Sequence, residues 1–179
     1  MIGGSDVYQS AADVTALVAG AGGGSWEALG AQFVAGAGTN AGAYAGWALV
    51  VVLEDPTLPP ARVAVFDGLA LVDGSTAAEF DVAVAPGAAA TLGVVAWEGD
   101  ANTNGDALQV GGIAVEPATG LHAVDNAFDS TADGFGEANS FGVDVKRFLP
   151  RSMSTPRATL TATTAGDIYL IGAVTVESR

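Results

Sequence analysis

The chain has 179 residues, 50% of them apolar, and a formal net charge of -14 from 6 Lys plus Arg against 20 Asp plus Glu. The apolar share supports a sizeable core and excludes general disorder, while the acidic balance speaks against nucleic acid or anionic lipid, both of which reward clustered cations. With no Cys and a single His, His122, the chain cannot build disulfide scaffolds, thiolate chemistry or multi-histidine metal sites.

In chain order, the opening Met1-Ile-Gly-Gly-Ser-Asp6 has neither the basic region nor the apolar region of a signal peptide, so any targeting segment is expected to have been removed. A first strand is expected over 6–10. The stretch Ser10-Ala-Ala-Asp-Val-Thr-Ala-Leu-Val-Ala19 predicts a short helix, with Ser10 as N-cap, Gly20 beyond its end, and Val14, Leu17 and Val18 on one face. Strands at 26–33 and 44–54 flank the Gly/Ala-rich tract 35–43. The charge-free run from Ala28 to Leu53 has the length of a membrane span, but its glycines, Gln32, Thr39 and Asn40 interrupt it, so two strands and a loop are expected and membrane insertion is not. Trp47-Ala-Leu-Val-Val-Val-Leu53 predicts a central strand buried on both faces and anchored by Trp47. Glu54-Asp-Pro56 ends it, since Asp favours a turn and Pro cannot continue a ladder.

Further short, β-branched strands are expected at 61–71, 78–84, 89–98, 107–110, 142–145, 157–163 and 168–177, with a bulge or turn at Asp67-Gly68. A weak second helix candidate is Val143-Asp-Val-Lys-Arg-Phe-Leu149, ended by Pro150, with Val145, Phe148 and Leu149 inward. The loops at 125–139 and 150–156 are expected to be irregular. The whole pattern predicts one all-β domain over 1–179: an antiparallel β-sandwich or jelly roll with one or two short helices.

Several pieces, in order, carry a resemblance: Ala12-Asp-Val-Thr15, Tyr44-Ala-Gly-Trp-Ala-Leu-Val-Val-Val-Leu-Glu-Asp-Pro-Thr-Leu-Pro59, Val63-Ala-Val-Phe-Asp-Gly68, Leu92-Gly-Val-Val-Ala-Trp-Glu-Gly-Asp100, Gly105-Asp-Ala-Leu108 and Thr164-Ala-Gly-Asp167. Together they resemble a secreted domain of unknown function found in bacterial and archaeal cell-surface proteins, often beside adhesin-like modules. The resemblance implies an extracellular, β-rich module with no known catalytic residues.

The most chemically loaded stretch is Asp100-Ala-Asn-Thr-Asn-Gly-Asp106. Oxygen side chains at alternate positions, Asp100, Asn102 and Asn104, can turn toward one centre, Gly105 permits the sharp turn, and Asp106 follows. This is the first half of a Ca²⁺ loop. Gly111 stands where an EF-hand would place its bidentate Glu, so a ligand must come from elsewhere; Glu98 is nearest, and Asp67, Asp125, Asp129 and Asp133 are further candidates. The competing reading is a plain hairpin loop, since Asn-Gly is also a favoured turn dipeptide. Hard oxygen donors without His or Cys clusters favour Ca²⁺ over transition metals. The acidic stretch 125–137 is either another cation loop or, the preferred reading given its irregular spacing, a solvated loop pinned by Phe128 and Phe135.

Signals for catalysis are weak. There is no Gly-x-Ser-x-Gly elbow, His122 has no partner signal, and Gly20-Ala-Gly-Gly-Gly24 lacks the Lys-Ser/Thr of a phosphate loop. An intramolecular isopeptide needs a Lys, an Asn or Asp, and an acid in an apolar setting; the single Lys146, beside Arg147, reads instead as part of an exposed basic pair. The expected function is therefore non-enzymatic: an extracellular structural or adhesive module of the cell surface, Ca²⁺-stabilised, forming a homo-oligomer, filament or layer. The first residues and the last strand, 168–177, either complete a neighbour's sheet edge or, the preferred reading, pair within their own sheets. The alternative is a carbohydrate-binding module that presents Trp26, Trp97 and Tyr169 to a surface glycan.

Overall fold

A computed structural model describes residues 7–31, 45–84, 87–119, 123–134, 139–153 and 155–179. Two compact units are distinguished, Met1–Trp47 and Ala48–Arg179. The first contains helix α1, Thr15–Ala21, which buries none of its residues. It starts later than the sequence predicts because the Asp13 carboxylate accepts the Thr15 N–H at 2.9 Å, holding the preceding residues in a non-helical turn. Gly22 follows it, donating its N–H to Val18 O at 2.9 Å. The expected strand at 26–33 is irregular over 26–31, and its remainder lies outside the described residues.

The second unit is an antiparallel β-sandwich. Its strands are β1 (Arg62–Val72), β2 (Ala78–Ala83), β3 (Ala89–Trp97), β4 (Ala107–Val110), β5 (Ile113–Ala114), β6 (Val143–Ser152), β7 (Arg157–Thr163) and β8 (Tyr169–Ser178). One sheet runs β1-β8-β3-β6 and the other β2-β7-β4-β5. Every paired strand is antiparallel. The period-2 alternation explains the two-layer build. In β7, Leu160 and Ala162 are buried while the intervening threonines are not. In the facing sheet, Leu92 and Val94 pair with Val176 and Val174. These side chains join Val82, Leu108, Val110, Phe128 and Phe148 in one core, each large one contributing about 1.5–3 kcal/mol on burial. The expected bulge at Asp67-Gly68 is present as a register shift between Asp67 and Ala70. No described helix is long and apolar enough to cross a membrane.

Two expectations are corrected, and one open alternative is decided. The run Trp47–Leu53 forms no strand and is largely exposed, Leu53 at 80%. The doubly paired, doubly apolar positions it was expected to fill are taken by β3 and β8. The segment from Val143 to Leu149 is not a helix but the start of β6, with Val145 opposite Val95 and Phe148 opposite Leu92; Pro150 is tolerated because β6 lies at a sheet edge. The last strand, β8, pairs on both sides, with β1 and with β3, so it is not free to complete a neighbour's sheet.

Candidate functional site

Four chain segments converge at one end of the sandwich: the loop leading from β3 into β4, the stretch 123–131, the turn from β7 into β8, and the start of β6. Close approach at two glycines makes this possible. A Cβ at Gly105, which has φ +119°, would lie within 3.0 Å of Ala165 backbone atoms, and a Cβ at Gly99 would strike the Asp144 carboxylate and the Phe128 carbonyl. Backbone bonds then fasten the segments. The Asp125 carbonyl accepts the N–H groups of Gly105 and Asp106, and Ala127 N–H donates to Asp106 O at 3.1 Å.

Asp106 is wholly buried, and neither of its carboxylate oxygens makes a hydrogen bond. Asn126, 6% exposed, likewise leaves its Oδ1 unpartnered, while its Nδ2 donates to the carbonyls of Ala101 and Asp100 at 3.2 and 3.4 Å. Asp167 is buried too, its carboxylate accepting the N–H of Asp100 at 3.0 Å and of Ile168 at 2.6 Å. Its own N–H donates to Thr164 Oγ1 at 2.8 Å, which sets the turn.

The electrostatics are those of crowded, dehydrated anions. Burial pushes the Asp106 carboxyl upward; the nearby Thr164 hydroxyl tempers this, and the charges of Asp167 and Asp144 add to it. Burial also raises Asp167, against the pull of the Ile168 and Asp100 N–H groups. Glu98 is raised by burial and then by Asp167 and Asp100, and its backbone sits at φ +71°, a strained conformation for a non-glycine residue. Unpaired buried carboxylates of this kind are costly unless protonated or matched by a cation.

Of the five residues expected to hold an ion, Asp100 gives its backbone N–H to Asp167, and the charge of Asp167 acts on Glu98 and Asp106. Asn102 and Asn104 are exposed. The more distant candidates go elsewhere. Asp67 and Asp125 have exposed side chains, Asp129 pairs with Lys146, and the Asp133 carboxylate accepts the Arg147 N–H at 2.7 Å. Asp167 and Asn126 were not expected as site residues. The only sequence hint of Asp167 was the Thr-Ala-Gly-Asp turn before the last strand, and Asn126 sat within a stretch read as a solvated loop. Among the described residues, no group of three or more His, Cys, Asp or Glu is arranged so that it could hold a metal ion.

Beneath this cluster, Tyr169 is fully buried against Phe128, ring centroids 4.7 Å apart, and donates its hydroxyl to Thr163 O at 2.9 Å. Burial and the neighbouring carboxylates hold its ionisation well above the usual tyrosine range. It therefore presents no ring face to a glycan, which removes one of the three expected sugar-binding aromatics. Lys146 is also corrected: it is 1% exposed, not part of an exposed basic pair. His122 lies outside the described residues. Comparison with protein-family models, with curated proteins and with solved structures finds no match for the chain.

Proposed function

We propose that the chain is a non-enzymatic structural or adhesive module of the cell surface, with one end of its sandwich locked by a hard divalent cation, Ca²⁺. The observation that carries this reading is the pair of buried, unpartnered oxygen donors, the Asp106 carboxylate and Asn126 Oδ1, set beside Asp167. Asp106, Asp167 and Asn126 would supply the inner ligands, with Asp100 and Glu98 adding charge at the rim. Ca²⁺ takes about six to eight oxygens, amide and backbone carbonyls included, so a shell need not consist of carboxylates alone. Modest affinity suits an extracellular setting, where modules of this kind bind at about 10⁻⁴ to 10⁻³ M. The resemblance of the stretch around Trp47 to a secreted surface domain points the same way.

Self-association is supported by exposed apolar surface. Among the described strands, β1 has a neighbour on one edge only, Val63 and Val65 on it are 42% and 46% exposed, and the apolar run ending at Leu53 is exposed as well. An open edge with apolar side chains is a template for a second copy. Electron microscopy of the purified protein with and without Ca²⁺ tests the reading: filaments or sheets are expected with the ion, and lone particles under both conditions would count against a structural subunit.

A further inference from the structure

The structure assigns a second chemistry to the same sandwich, independent of the cation: we propose that Lys146 and Asp129 form an intramolecular amide crosslink, with Asp144 as the proton-transferring acid. The juxtaposition arises from β6. Its alternation turns Asp144, Lys146 and Phe148 into the interior while Val143 and Val145 are only partly buried. A hydrophobic strand would place the valines inside, so two ionisable residues occupy interior positions.

The Lys146 ammonium, with no solvent exposure of its side chain, touches Asp129 Oδ1 and the Thr131 hydroxyl and lies 3.4 Å from Asp144 Oδ1. Asp144 is held in place by the Thr131 N–H, which donates to Oδ1 at 3.2 Å, and its Oδ2 makes no hydrogen bond. The Thr131 hydroxyl fixes Asp129 by donating to its Oδ1 at 2.6 Å. Phe128 and Phe148, both fully buried with ring centroids 6.2 Å apart, supply the apolar setting. Nucleophile, electrophile and acid are thus preassembled, the condition under which an intramolecular reaction gains most. Nζ gives a proton to the Asp144 carboxylate and attacks Asp129 Cγ. The new C–N bond forms as the C–O bond breaks, and the departing oxygen leaves as water after taking up protons, the last through Asp144. An ammonium and a carboxylate become one amide and one water, Asp144 ends as it began, and no other reactant is needed.

The test is the intact mass of the full chain under denaturing conditions. The mature protein is expected to weigh one water less than its sequence, and fragmentation should yield a branched peptide joining positions 129 and 146. Because Lys146 is the only lysine, an amine reagent added after unfolding should modify no lysine. Lys146→Ala should keep its full sequence mass whether or not it folds well. Asp129→Asn, which loses ammonia in place of water, should mature to the same mass as the parent. A parent of full sequence mass with a reactive lysine would overturn the proposal. So would a water loss that persists in Lys146→Ala, which would place the dehydration at an Asp-Gly step such as Asp133-Gly134.

Discussion

The amide of Asp100 donates to the carboxylate of Asp167 at 3.0 Å, across 67 positions of sequence. This bond ties the loop after β3 to the turn before β8. Because Asp106 lies in the same pocket of charge without donors of its own, the bond also gathers anions that repel one another. A fold that draws carboxylates together and leaves a buried one, Asp106, without a hydrogen bond is stabilised by whatever supplies positive charge, and the following outcomes are expected from that.

Asp106→Asn should have opposite effects in the two conditions. In metal-free buffer the variant should be more stable than the parent by about 1–3 kcal/mol, because it removes a dehydrated, unpaired charge. In about 100 mM Ca²⁺ the order should reverse, since the parent alone gains from the ion, by about 3–4 kcal/mol at a Kd of about 10⁻³ to 10⁻⁴ M. Chemical denaturation in both buffers checks this.

Gly105→Ala should destabilise the sandwich by roughly 1–3 kcal/mol. The added methyl meets Ala165 backbone atoms, and φ +119° is a conformation that favours glycine. The same substitution at Gly68, where a Cβ meets nothing within 4 Å, is the control. Thermal melts of the two variants provide the comparison.

Stability in the acid range should fall as pH rises. Burial, only partly offset by Lys146, lifts the Asp144 carboxyl from 3.8 to about 6 in the folded protein. The folded state therefore holds this proton where the unfolded state has lost it. The contribution is absent below about pH 4, grows unfavourable up to about pH 6, and reaches on the order of 3 kcal/mol. Asp144→Asn should flatten that slope. An amide at Lys146 removes the offsetting charge and leaves the sign unchanged.

Tyr169→Phe should cost about 1 kcal/mol, the worth of its hydroxyl bond to Thr163 O. It should leave binding to any polysaccharide unchanged, because the ring is buried against Phe128. A melt and a glycan pull-down read the two effects separately.

The sandwich strands from Arg62 onward, apart from β5 and the second half of β6, were legible because each has short alternation bounded by Gly, Pro, Asn or Asp. The threonine-rich β7 shows this most plainly, its Leu160 and Ala162 buried where the alternation places them. The run Trp47–Leu53 was misread for a physical reason: uninterrupted apolarity fits a buried strand but does not say whether a sheet has room for one. β6 was read in part as a helix because its interior positions carry Asp144 and Lys146, which inverts the hydrophobic pattern. The candidate site was half legible. Local spacing pointed to Glu98, Asp100 and Asp106, whereas Asp167 and Asn126 are brought in by tertiary contacts that no local pattern encodes. Asn102 and Asn104, which the same spacing pointed to, are exposed.

The most direct measurement is a calorimetric titration of the metal-stripped chain with Ca²⁺, paired with its melting temperature before and after. Saturable binding of one ion with a rise in melting temperature, both abolished by Asp106→Asn, is the expected result. An unchanged melting temperature at millimolar Ca²⁺, with no heat of binding, would contradict it.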